Sequence, residues 1–178
     1  VDDYKGGQMA ANYLLSQGHR KIALLAGETI THNIQQRISG FRAGMAKYRA
    51  TLPDEMVVQT SMTKLGGYQA TAELLAKKPT AVFCINDEMA IGLYRGLSER
   101  GLKVPDDLSV MGYDDIDLAN FVTPKLTSIH QPAFEMGQVA TKLLIERLHN
   151  PRLAHQDKQL PLELVARDSV KLIADDIQ

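Results

Sequence analysis

The chain has 178 residues, close to the size of one domain, and its 44% hydrophobic, 23% charged and 6% aromatic content excludes a disordered polypeptide. Twenty Lys and Arg against 21 Asp and Glu leave a net charge of −1, whereas a domain that grips nucleic acid through phosphates carries a basic excess, so DNA or RNA binding by this chain alone is not expected. The single cysteine, Cys84, excludes an intrachain disulfide framework or a Cys-rich metal site; no apolar run approaches the ~20 residues that span a bilayer, and VDDYKGG is unlike a signal peptide. The missing initiator Met points to a piece of a longer protein.

Lys5–Gln17 places Met9, Ala10, Tyr13 and Leu14 on one stripe, which predicts a helix stopped by Gly18. Ile22–Ala26 is an apolar run of strand length. A helix follows over about Asn33–Ala50, with Ile34, Ile38, Phe41 and Met45 at helical spacing. Met56–Gln59 is a second strand, Gly67–Lys77 a helix and Ala81–Ile85 a third strand. Asp87–Arg100 is a helix burying Met89, Ala90, Leu93 and Leu97, and it stops at Gly101. Leu108–Gly112 and Leu126–Ile129 complete five strands. Strands apolar on nearly every residue, each joined to the next by a helix, predict a doubly wound α/β sandwich around a parallel sheet.

The pattern changes after Gln131. Pro132 suits the first turn of a helix over Ala133–His149, with Met136, Ala140, Leu143, Leu144 and Leu148 facing inward. Arg152–Lys158 is a polar loop. Gln159–Leu164 alternates but contains Pro161, so it predicts an edge strand. The tail ends on Asp175 and Asp176 and is expected to fray.

Ligands of parallel α/β sheets bind beyond the carboxyl ends of the strands. The polar residues there are Glu28, Thr29, Thr31, His32 and Asn33 leading to Arg37; Thr60, Ser61 and Met62; Asn86 and Asp87; Asp114 and Asp115; and His130 and Gln131. An arginine, two amides and two carboxylates suit a neutral polyhydroxylated ligand such as a sugar. Asp87 and Asp114 equally suit the capping of helices and turns. Enzymatic chemistry is not expected: there is no G-x-S-x-G elbow, and the adjacent Asp114 and Asp115 face opposite ways on an extended segment. Histidines 19, 32, 130, 149 and 155 lack metal-ligand spacing, and no cofactor is expected. Gly6-Gly7 and Gly66-Gly67 match no phosphate loop and read as close-packing or turn glycines.

The strings NYLLSQGHRKIALLAG, RISGF, AVFCINDEMAIGLYRGLSERGLKVPDDLSVMGYDDIDLANFVTPKLTSIHQP and LVARDSV resemble the LacI/GalR family of bacterial transcription repressors, with the ribose and purine repressors nearest. The resemblance runs from Val1 to about Val170. It implies a helix-turn-helix headpiece followed by an effector domain of the periplasmic-binding-protein type I fold, whose two lobes share three crossovers. Under it, residues 1–130 are the C-terminal lobe. Residues 131–163 are a crossover helix and strand, the strand near Gln159–Leu162, that belong to the other lobe. Residues 164–178 return, and the headpiece lies outside this chain.

By the same resemblance Arg37 is the effector-clamping arginine, and Asn86 or Asp87, Asp114 and Gln131 match other cleft positions. Thr31 and Asn33 fall on the variable loop before Arg37. Met62 stands where several members carry an aromatic ring, which counts against a purine effector. Glu88–Leu93 and Leu118–Thr123 match pairing surfaces, so Met89, Leu93, Leu118, Phe121 and Val122 are the expected homodimer contacts; the alternative is that Phe121 folds back into its own lobe. The implied function is the sugar-sensing domain of a cytoplasmic regulator, in which ligand closes the cleft and alters operator affinity through a dimer. A purine-responsive repressor and a periplasmic sugar-binding protein are the alternatives. The helix Pro132–His149, lacking its usual partner lobe, is expected to repack on this lobe, dimerise or exchange with a second copy.

Overall fold

A computed structural model describes residues 1–29 and 31–173. Six strands form one sheet: β1 (Ile22–Gly27), β2 (Val57–Thr60), β3 (Ala81–Cys84), β4 (Ser109–Asp114), β5 (Thr127–His130) and β6 (Glu163–Val165), in the order β2-β1-β3-β4-β5-β6. The first five are mutually parallel, and β6 runs antiparallel to β5. All residues of β1 and β3 are buried, as a sheet covered on both faces requires.

Helices α1 (Asp3–Ser16) and α2 (His32–Lys47) pack against each other, as do α3 (Lys64–Gln69) and α5 (Asp87–Ser98). The chain leaves β1 toward one edge, to β2, and then crosses back to β3. Right-handed crossovers therefore set α2 on one face and α3 with α5 on the other. A β-carbon on Gly7 would lie 2.0 Å from the Arg37 carbonyl oxygen, and one on Gly40 would lie 1.9 Å from that of Tyr4. The α1–α2 crossing thus admits only glycine at these two points. Phe41 of α2 stacks on Phe83 of β3 with ring centroids 4.8 Å apart, at the centre of the core.

Several expectations are corrected. The helix over Gly67–Lys77 starts earlier, at Lys64, with Thr63 accepting from the Gly66 N–H, and it is broken at Ala70 into α3 and α4 (Thr71–Ala76). Met89 and Leu93 are fully buried on the inner face of α5, so they are core and not a pairing surface. Their helical phase with Ala90 and Leu97 dictates this, since one side chain cannot serve both faces. The strand expected over Gln159–Leu164 is confined to Glu163–Val165; Pro161, with no N–H, cannot enter the ladder.

The largest departure is α6 (Ala133–His149), which buries none of its residues. Phe134 is 74% exposed and Leu148 70%. Ala140 and Leu144 are exposed as well, while Met136 and Leu143 are half-buried, Leu143 lying beside the 153–160 segment. The expected repacking of this helix onto the lobe does not occur. After the excursion the chain returns through Ser169: Thr127 N–H donates to its Oγ at 2.8 Å, and that hydroxyl donates to the Val110 carbonyl at 2.6 Å. Asp175 and Asp176 lie outside the described residues. Among the described residues no helix is long and apolar enough to cross a membrane.

Candidate functional site

The connections leave β1 toward one edge of the sheet and β3 toward the other, and the side chains converge at the carboxyl ends of the strands beside that switch point. Arg37, one and a half turns into α2, leans over the carboxyl edge of the sheet and is 6% exposed. Its Nε donates to Asp3 Oδ1 at 2.7 Å and its Nη1 to the Ile85 carbonyl at 2.9 Å. Nη1 also lies 3.4 Å from Asp114 Oδ1, and the guanidinium carbon sits 3.7 Å from the centroid of the Tyr113 ring. A charge this buried is tolerable only with such partners. They fix the fork before any ligand arrives.

Asp114 ends β4 and is held by two residues. Gln131 Nε2 donates to its Oδ1 at 2.6 Å, and its side chain remains 30% exposed. Burial pushes the Asp114 carboxyl above the usual carboxylate range, against the opposing pull of Arg37 and Gln131. Asp114 and Asp115 have φ of +107° and +56°, a conformation that non-glycine residues rarely adopt. Such strain concentrates at sites where a side chain must be aimed.

The remaining expected residues divide. Asp87 is fully buried: its Oδ1 accepts from Ser128 Oγ at 2.7 Å and its Oδ2 from the Ile116 N–H at 2.9 Å. It belongs beneath the site and offers no ligand contact, which corrects that expectation; burial pushes its carboxyl up to about 7. Asn86 caps α5, its Oδ1 accepting from Met89 N–H at 2.9 Å, while its amide faces the Met62 carbonyl at 3.4 Å. Met62 is 39% exposed, and its Cγ stands 2.7 Å from where a β-carbon on Gly27 would lie, so the thioether roofs the end of β1. Thr31 and Asn33 are exposed at the start of α2 and hydrogen-bonded to each other rather than to Arg37.

Sequence reasoning missed Asp3 and Tyr113. Asp3 looks like an ordinary acidic residue in a first helical turn, and Tyr113 like one more residue of a buried strand. Only the crossing of α1 over β4 and α2 brings them to Arg37. It also missed Arg167, whose Nη2 lies 2.7 Å from Asp115 Oδ1. Of the expected pairing residues, Phe121 is 80% exposed and Leu118 37%, with Val122 half-buried. Phe121 does not fold back.

The cluster can orient hydroxyl groups: a fixed donor fork, a carboxylate with free lone pairs and an amide stand at one edge, with the Met62 thioether at the end of the neighbouring strand. A family model described as periplasmic binding protein-like domain matches residues 11–170. The ribose operon repressor of Escherichia coli K12 is 42% identical over 166 residues, covering 92% of this chain and 50% of that protein. The HTH-type transcriptional repressor PurR of Vibrio cholerae serotype O1 is 38% identical over 169 residues, covering 94% of this chain and 50% of that protein. A LacI family transcriptional regulator from Enterococcus faecium, solved with bound ribose, superposes with a TM-score of 0.91 at 44% identity, covering 97% of this chain and 64% of that one. The chain therefore spans about half the length of the curated relatives it matches.

Proposed function

The chain belongs to the periplasmic-binding-protein-like domain family, and from that premise we propose that it is the sugar-sensing lobe of a LacI-type transcription regulator. The observation that carries this reading is the prearranged trio of Arg37, Asp114 and Gln131 at the carboxyl edge of the sheet. Ribose is the first candidate, because the E. faecium neighbour was solved with it. Arg37 and Asp114 grip ring hydroxyls, and Met62 contributes a soft apolar contact. In this reading residues 1–130 and 164–178 form one lobe. Residues 131–163 reach a second lobe, which covers α6 and closes over the ligand. The ligand favours the closed state, and a cytoplasmic homodimer relays that preference to DNA-binding headpieces.

The test is an NMR titration of the chain with ribose, a method that reads weak binding. The amide resonances of Ile85, Asp114 and Gln131 are expected to move together, and in Arg37→Ala they are not. A purine base moving them where ribose does not replaces the sugar with the effector class of the V. cholerae relative. No movement with either removes the trio as a ligand site. Pairing is tested separately: Phe121→Ser is expected to convert a dimer to a monomer in sedimentation, and a wild-type monomer at high concentration overturns that part.

A further inference from the structure

We infer that the Asp115–Arg167 ion pair positions the ligand-facing Asp114, acting as a clasp on the turn 114–116. Each residue of this turn is held from a different part of the chain. Asp114 is met by Arg37 from α2 and Gln131 from beyond β5. The Asp115 N–H donates to Ser128 Oγ at 3.2 Å, and that hydroxyl in turn donates to Asp87. The Ile116 N–H donates to Asp87 Oδ2. The Asp115 carboxylate bridges outward: Oδ1 forms an ion pair with Arg167 Nη2 at 2.7 Å, a charge contact without hydrogen-bond alignment, and Oδ2 meets His130 Nδ1 at 3.0 Å.

Arg167 is itself anchored. Its Nη1 donates to the Leu126 carbonyl at 2.6 Å and its backbone N–H to Thr127 Oγ1 at 2.9 Å. Both carboxylate and guanidinium are only 12% exposed, so water screens the pair little. Two successive non-glycine residues at positive φ persist only when the surroundings over-determine them. With Asp115 in the left-handed region its carboxylate is directed to Arg167, and the same bend leaves the Asp114 carboxylate beside Arg37. Releasing the clasp lets the turn relax toward extended backbone, which re-aims Asp114. Arg167 contacts no ligand in this arrangement. It acts through Asp114, from the irregular segment that follows β6.

The ligand side of this inference rests on the sugar-binding reading; the conformational side does not. Two measurements separate them. The first is ligand-free: the Asp114 Cα shift and its Cα–Hα coupling report the sign of φ. Arg167→Ala and the milder Asp115→Asn are expected to move Asp114 to the extended signature, with the β1 and β3 amides unshifted and Arg167→Lys restoring part of the native value. Retention of positive φ at Asp114 in folded Arg167→Ala and Asp115→Asn overturns the inference, whatever the ligand. The second is a cycle read by ribose titration. Arg167→Ala is expected to weaken binding about tenfold in the native background and within about twofold in Asp114→Ala, because a positioning residue loses its effect once its client is gone. Equal weakening in both backgrounds overturns it. If ribose is silent on the native chain while φ at Asp114 reverts in the variants, the sugar reading fails and the clasp stands.

Discussion

The sheet body and the 131–162 excursion come from one chain and have opposite economies. In the body, every residue of β1 and β3 is buried, and even polar groups such as Asp87, Ser128 and Ser169 are inside with partners. In the excursion, a seventeen-residue helix has no fully buried residue and leaves Phe134, Leu144, Ile145 and Leu148 open. The composition of α6 is no more polar than that of the helices flanking the sheet. The difference lies in what stands opposite. Amphipathicity states that a helix needs a cover, and topology decides whether the same lobe supplies it.

The sharpest way to break this contrast is paired truncation. Phe41→Ala, which removes a ring stacked on Phe83, is expected to cost about 3–5 kcal/mol in urea unfolding. If it costs as little as a surface change, the body is not the cooperative unit described.

A second test uses the buried titratable groups of the body, which the excursion lacks. His19, with Nδ1 at 3.0 Å from Thr80 Oγ1, is held by burial at about 4, below the ordinary 6.5. The unfolded chain therefore takes that proton first. Its contribution is complete above about pH 6.5 and is lost as pH falls toward 4, by up to about 3 kcal/mol. Asp87 works the other way. With its carboxyl raised from 3.8 to about 7, the folded state takes the proton first, so stability is lost as pH rises through that window, by about 4 kcal/mol at most. Urea midpoints across pH 4–8 are expected to vary little in the native chain, because the slopes oppose. His19→Gln and Asp87→Asn are expected to unmask slopes of opposite sign. Parallel profiles for the two variants contradict the assignment.

The smallest effect belongs to the excursion. Phe134→Ser is expected to change stability by no more than about 0.5 kcal/mol, since its ring is already in water. A loss several times larger in the chain alone means that α6 has a partner in solution, and sedimentation identifies it as a second copy or excludes that.

The alternation of buried strands and amphipathic helices was legible in the sequence because period and burial are local properties. Asp114 and Gln131 could be picked out as polar residues following strands, and Arg37 by the family resemblance; their meeting at one point is a matter of packing. Asp87 was misplaced because a carboxylate after a strand looks the same whether it faces solvent or a buried serine. Met89 and Leu93 were assigned to two faces at once, and only the packed helix decides between them. Asp3, Tyr113 and Arg167 were invisible for a different reason: their partners lie far along the chain, and nothing in the local pattern announces which crossing brings them near.

The register of the last two strands carries one more consequence. His130, where the chain departs for α6, sits directly opposite Glu163, where it rejoins the sheet, on antiparallel neighbours. Thirty-odd residues therefore span a gap that a two-residue hairpin turn bridges elsewhere in proteins. The excursion is a detachable appendage in the geometric sense. Cutting out 132–162 and closing Gln131 to Glu163 through one glycine leaves the β5–β6 ladder in place, and yields a minimal scaffold that keeps Arg37, Asp114 and Gln131 without the greasy arm.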